Sequence, residues 1–206
     1  MKTLLIAGYT AFDISLFDEK DIKLTVIKLA IRKKLESLAS EGLEWLIFGG
    51  NLGFEYWVLQ VALEMKNDYD FKLATIFPFK THGQNWNESN QTKLALFKQV
   101  DFIQYAYDAY ENPGQFREYN TFLIQNADGA FVFYDEENET KLKYLVTKFN
   151  ETAGFAVHYL RFDALQDIAD ELNADFWHNM TTKTPPILWL LCQSIGGVFY
   201  SSLKPL

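Results

Sequence analysis

The sequence predicts an α/β protein of the Rossmann-like class, with a mostly parallel sheet of about six strands and helices on both faces. Short apolar runs alternate about six times with longer stretches whose apolar residues recur at helical spacing. The connections between them are short, which favours strand–helix–strand units that build a parallel sheet. The run at residues 130–134 is uninterrupted and apolar, as expected for a central strand that is covered on both faces.

Three strand–helix pairs are predicted in the first half of the chain. The first helix ends at Gly42, because glycine readily adopts the left-handed conformation that closes many helices. The third strand ends before Pro78, because proline has no N–H to donate to a neighbouring strand. Asn87 or Ser89 can cap the third helix with a side-chain oxygen. The predicted strands are residues 4–7, 45–48 and 71–77, and the helices are about 19–40, 54–67 and 88–99.

Three further strand–helix pairs are predicted in the second half. Pro113 suits the first turn of the fourth helix, where the missing N–H costs nothing. The acidic run from Asp135 to Glu137 follows the fifth strand, and it can cap the next helix, coordinate a cation or lie in solvent. The predicted strands are residues 101–107, 130–134 and 155–160, and the helices are about 113–126, 139–152 and 163–173.

The chain of 206 residues is long enough for one sizeable core. We expect one domain over residues 1–177 and a tail of uncertain structure over residues 178–206. The tail contains Pro185 and Pro186 and then a largely apolar stretch, which at about 14–17 residues is short for a bilayer span. The sequence leaves open whether this tail associates weakly with a membrane, packs on the domain or a partner, or has no relation to the domain.

The composition argues against several classes of function. The net charge of −8 disfavours broad binding to nucleic acids, because an acidic surface repels the phosphate backbone. The single Cys192 excludes an intramolecular disulfide and suits a reducing compartment, so the expected location is cytoplasmic. His82, His158 and His178 form no pair at helical spacing, and no metal site is expected. No Ser-His-Asp or Cys-His catalytic set is visible.

The glycine turn at residues 49–53 is the leading candidate for a binding site. A strand, a glycine turn and a helix start together can point backbone N–H groups at an anion, and glycine lets a phosphate approach the backbone closely. Glu55 lies in the first helical turn, where it can favour the helix dipole or accept hydrogen bonds from a ribose or base. The same glycines also fit a tight turn that binds nothing.

Two side chains elsewhere have two interpretations each. Trp86 lies in a polar segment, where it can anchor the loop in the core or provide a stacking surface for a base. Arg117 shares a helix face with Asn120 and Thr121, and its forked guanidinium suits phosphate. Alternatively, Arg117 forms a surface ion pair with a neighbouring glutamate.

The chain resembles the YpsA-like proteins of the SLOG superfamily, a Rossmann-like group that includes DprA and the LOG nucleotide phosphoribohydrolases. The resemblance extends over residues 1 to about 172 and keeps the order of the matching stretches. The LOG glycine turn reads Pro-Gly-Gly-x-Gly-Thr-x-x-Glu, whereas this chain has neither the proline nor the Gly-Thr pair. The matching stretches are residues 6–10, 48–55, 77–79, 86–88, 117–120, 128–130 and 134–135.

This resemblance implies a pocket for a nucleotide or nucleotide-derived ligand at the carboxyl ends of the first strands. It favours Trp86 as a pocket wall and Arg117 as a ligand contact. The implied residues are Gly8 and Thr10 at the border, Gly49, Gly50 and Gly53 at the phosphate, Glu55 at a polar ligand group, Trp86 and Glu88 along one side, and Arg117 and Asn120 on the facing helix.

The expected function is a cytoplasmic protein that binds a nucleotide, NAD or an ADP-ribose-like ligand and acts as a sensor or regulator towards a protein partner. The alternative is a hydrolase that cleaves an N-glycosidic or phosphoester bond. Glu55 or Glu88 would then be the general acid or base, and Arg117 would steady the anion. A weaker third hypothesis is a scaffold tethered to a membrane by the tail. Self-association into a homo-oligomer remains open.

Overall fold

The computed structural model describes the backbone of residues 2–180 and the side chains of residues 2–173. Strands and helices alternate strictly along this part of the chain. The strands are β1 (Thr3–Gly8), β2 (Trp45–Phe48), β3 (Lys72–Phe79), β4 (Phe102–Tyr107), β5 (Gly129–Phe133) and β6 (Ala156–Leu160). The helices are α1 (Ile22–Ser40), α2 (Phe54–Met65), α3 (Glu88–Leu96), α4 (Gly114–Gln125), α5 (Lys143–Glu151) and α6 (Phe162–Met180).

All six strands form one sheet in the order β4-β3-β2-β1-β5-β6, and every neighbouring pair is parallel. The chain moves outward from β1 to β4 and then returns to the other side of β1. Right-handed crossovers therefore place α1, α2 and α3 on one face and α5 on the other. The Rossmann-like prediction is confirmed, and the sheet is parallel throughout.

The reversal of strand order occurs at β1, which lies between β2 and β5. Tyr9, directly after β1, is fully buried and joins the two halves at this point. Its hydroxyl donates to the carbonyl groups of Asp135 and Asn138 at 2.9 and 2.8 Å and accepts from the backbone N–H of Asp135. Open α/β sheets bind ligands at such a switch point, outside the carboxyl ends of the strands.

Pro78 corrects the predicted end of the third strand, because it lies inside β3. Phe77 pairs with Tyr105 and Phe79 pairs with Tyr107, so the backbone groups of Pro78 face the β2 side. On that side the last pairing is between Phe48 and Thr75. The N–H that proline lacks would therefore have had no partner in the sheet.

The helix ends differ from the predictions in ways that depend on local contacts. Asn87 is the cap of α3, since its side chain accepts from the N–H of Asn90 at 2.9 Å. Asp135 accepts from the N–H of Phe162 at 3.3 Å, so it caps α6 rather than the next helix, α5. The last helix continues to Met180, past the predicted boundary at residue 177.

The rest of the predicted tail, including Cys192, lies outside the described residues. Among the helices that the structure describes, none combines the length and apolar character needed to cross a bilayer.

Candidate functional site at the glycine turn

The carboxylate of Glu55 occupies the centre of the glycine turn. The backbone N–H groups of Gly49 and Gly50 donate to its Oε2 atom at 2.7 and 3.0 Å. Asn51 donates to the same carboxylate twice, from its backbone N–H to Oε2 at 3.2 Å and from its side-chain amide to Oε1 at 2.6 Å. Glu55 is only 6% exposed, so these four bonds satisfy a buried acid.

This arrangement corrects the expectation of free amides at the turn. The sequence pattern predicted that the N–H groups of Gly49 and Gly50 point at a ligand phosphate, but in the structure both donate to Glu55. A carboxylate of the chain therefore takes the position that an external anion was expected to fill. Glu55 acts here as the residue that fixes the conformation of the turn.

Gly53 and Gly8 allow the start of α2 to lie directly against the end of β1. Gly53 has φ +91°, and a Cβ atom there would come within 2.5 Å of the Tyr9 carbonyl and 2.6 Å of the Thr10 Cα. A Cβ atom at Gly8 would lie 2.6 Å from the ring of Phe54. The N–H of Phe54 donates to the Tyr9 carbonyl at 2.9 Å across this contact. Both glycines thus serve a close backbone approach.

His82 connects the glycine turn to the segment that contains Trp86. Its Nε2 atom lies 3.0 Å from the carbonyl of Gly50, and its ring meets Trp86 edge-on with centroids 5.2 Å apart. Trp86 is half-buried and packs against the core. The structure therefore combines the two interpretations of Trp86, because it anchors the loop and still borders the turn through His82.

Helix α4 reaches the turn through Tyr119. The Tyr119 hydroxyl donates to the carbonyl of Ile76 at 2.6 Å, and it would lie 3.0 Å from a Cβ atom added at Gly49. Burial raises the pKa of Tyr119 well above its ordinary value, and the neighbouring Glu55 adds to the rise. The facing helix was predicted to approach this corner, and its closest contact is this phenol.

The structure does not bring the remaining predicted residues into contact with the turn. Arg117 is exposed and forms no ion pair within the described part of the chain, so the expected surface pair with a glutamate is absent there. Glu88 is exposed at the start of α3, and Asn120 is half-buried beside Tyr119. Thr10 is exposed and donates to Asp13 at 2.8 Å. Ligand contacts by these residues stay predictions.

A cavity of about 640 Å³ lies near the turn, at the carboxyl ends of β3 and β4. Lys80, Tyr107 and Glu118 are among its lining residues, and it includes none of the predicted ligand-binding residues. Across residues 2–173, no group of three or more His, Cys, Asp or Glu side chains is arranged to hold a metal ion.

Burial raises the pKa of Glu55 to about 7, and the hydrogen bonds from Asn51, Gly49 and Gly50 oppose the rise. Desolvation penalises the charged carboxylate more than these donors favour it. The folded protein therefore retains the Glu55 proton at pH values where the unfolded chain has released it.

We expect the free energy of unfolding to fall by about 3 kcal/mol as the pH rises from about 4.5 to 7, through this group alone. Below pH 4.5 both states bind the proton and the contribution is complete. Above pH 7 both states are ionised and it is lost. Urea unfolding of the wild type and of Glu55→Gln across pH 4–8 would measure the effect as a difference. A difference that does not change with pH would contradict the assignment.

Sequence reasoning missed Tyr119, His82 and Asn51 as parts of the site. Asn51 had a signal, since it precedes Glu55 by four residues in the same turn. Tyr119 had a weaker one, because it lies directly before the predicted Asn120. His82 had none in the local sequence, because its partner, the carbonyl of Gly50, is 32 residues away.

Comparison with known proteins supports the resemblance noted from the motifs. The family model described as the YspA SLOG family matches residues 4–165. A UPF0398 protein of Lactococcus lactis subsp. cremoris is 61% identical over 173 residues, which cover 84% of this chain and 99% of that protein. The UPF0398 protein YfdB of Lactococcus lactis subsp. lactis is 60% identical over the same shares.

A UPF0398 protein of Streptococcus agalactiae is 52% identical over 169 residues, or 82% of this chain and 98% of that protein. These matches extend over the whole sheet, from β1 to the start of α6, and include the glycine turn. The chain belongs to the YspA SLOG family.

Proposed function

We propose that the chain is a cytoplasmic protein that binds a small nucleotide-derived ligand, such as NAD or an ADP-ribose-like compound, and acts as a sensor or regulator towards a protein partner. The ligand would bind at the carboxyl edge of the sheet, around the glycine turn. Family membership supports a nucleotide-related role.

The observation that carries the proposal is the position of a fixed glycine turn beside the switch point of the sheet. Glu55 holds the turn through four hydrogen bonds, and Gly53 presses the start of α2 against the turn after β1. Such a rigid corner suits ligand binding, because little conformational freedom is lost when the ligand arrives.

The ligand anion would then meet the positive end of the α2 dipole and side chains that reach solvent around this corner. Thr10, Asn51 and Arg117 are exposed there or on the facing helix. Arg117 is suited to phosphate, since its guanidinium has no acidic partner among the described residues.

Isothermal titration calorimetry with ADP, NAD and ADP-ribose tests the proposal. We expect at least one of them to bind, and Arg117→Met to weaken that binding about tenfold, the value of one charge-assisted phosphate contact. Lys98→Met is the matched control, since it removes an exposed positive charge from the end of α3. Absence of binding to all three compounds, or equal effects of the two substitutions, would refute the proposal.

One observation favours the hydrolase as a second candidate. The raised pKa of Glu55 places its protonation change near neutral pH, which suits a general acid or base. Incubation with a nucleotide panel followed by chromatography would detect turnover, and Glu55→Gln should abolish it. Glu88→Gln tests the other carboxylate. Tight binding without product would leave the sensor as the better description.

A further inference from the structure

A second cavity, of about 500 Å³, lies between α1 and α6 above strands β5 and β6. This volume falls within the range of small-molecule sites, roughly 300–1,000 Å³. Phe131 and Leu160 are among the strand residues that line it. Ala30 on α1 and Ala164 on α6 face it with small side chains, which leave space between the two helices.

His158 supplies an unpaired polar atom to this cleft. Its Nε2 atom is buried and has no hydrogen-bond partner among the described residues. Buried polar atoms are nearly always paired, so an unpaired one indicates a missing partner. Burial lowers the pKa of His158, with Lys34 adding to the effect and Glu41 opposing it. The imidazole is therefore neutral at pH 7 and can donate through one ring nitrogen.

The charged groups around His158 leave one ammonium available for a ligand. Lys33 and Lys34 both line the cleft from α1. Lys33 forms an ion pair with Glu171 of α6, whereas Lys34 pairs with no carboxylate in the described part of the chain. Glu41 accepts a hydrogen bond from Ser37 at 3.0 Å, which engages the remaining nearby acid.

We propose that the cleft between α1 and α6 binds a small organic anion whose carboxylate or phosphate head lies between Lys34 and His158 and whose apolar body packs against Phe131 and Ile168. This site is separate from the glycine turn, and it does not depend on the function proposed there. The ammonium and the ring N–H supply two donors to the head, and the apolar walls exclude ligands that are fully polar.

Nuclear magnetic resonance of protein with ¹⁵N-labelled histidine rings tests the site directly. The probes are hexanoate and hexyl phosphate, which share the apolar body and distinguish the two head groups. Hexanol lacks the charge, and acetate lacks the body. We expect one hexyl anion to shift the His158 ring resonance saturably, with a dissociation constant of about 1 mM or lower. Hexanol and acetate should bind at least tenfold more weakly.

Lys34→Met should weaken binding of the effective anion at least tenfold, while Lys98→Met, which removes a distant surface charge, should leave it unchanged. His158→Phe keeps the ring volume and removes the polar atom, so it should abolish binding if the variant folds. Lys34→Met decides the question by itself if His158→Phe does not fold. The proposal is overturned if neither hexyl anion gives a saturable shift, if hexanol matches them, or if Lys34→Met binds as the wild type does.

Discussion

Gly53→Ala is expected to lower the free energy of unfolding by about 3 to 4 kcal/mol. A side chain at φ +91° costs about 1 to 2 kcal/mol, and the overlap of the new Cβ with the Tyr9 carbonyl and the Thr10 Cα costs a similar amount or more. Backbone atoms cannot rotate away as a flexible side chain would, so α2 must shift relative to β1. Urea unfolding followed by circular dichroism measures the loss.

Gly42→Ala is the matched control for this substitution. Gly42 has φ +93°, nearly the value at Gly53, but no heavy atom lies within 4 Å of a Cβ placed there. We expect it to lose only the conformational cost, about 1 to 2 kcal/mol. Equal losses in the two variants would show that the close approach of α2 to β1 relaxes freely.

Glu55→Ala is expected to lower the free energy of unfolding by about 3 kcal/mol at pH 6, because it leaves the buried N–H groups of Gly49 and Gly50 without an acceptor. Amide hydrogen exchange at both glycines should accelerate as the turn loosens. Glu55→Gln keeps an acceptor oxygen and should lose about 1 kcal/mol. Urea unfolding and hydrogen exchange at residue resolution measure both effects.

Glu64→Ala provides the control on the same helix. Glu64 forms only a surface ion pair with Arg32, so its removal should change stability little. If Glu55→Ala were no more destabilising than Glu64→Ala, water would satisfy the turn as well as the carboxylate does. The structural role of Glu55 would then be wrong.

The fold could be predicted because each of its signals is local. Alternating apolar runs and helical periodicity are visible within windows of 10 to 20 residues. The end of β3 was missed for a non-local reason. Pro78 continues the strand because β2 has already ended beside it, and the length of a neighbouring strand is not encoded around Pro78.

The location of the candidate site could be predicted, but its internal chemistry could not. The glycines marked a strand–helix turn, and both a phosphate and a ligand-free turn explained them. What fills the turn is the side chain of Glu55, and its direction depends on how α2 packs against β1. Tyr119 reaches the carbonyl of Ile76 from 43 residues away, and no local pattern reports such a contact.

The position of β1 in the sheet has a consequence for synthesis on the ribosome. The first strand to emerge borders both β2 and β5, and β5 ends only at Phe133. Until then one hydrogen-bonding edge of β1 and the aromatic pocket for Tyr9, which includes Phe133 and Phe162, are incomplete. Nascent chains shorter than about 130 residues should therefore expose an apolar edge to chaperones, and the sheet should close late in translation.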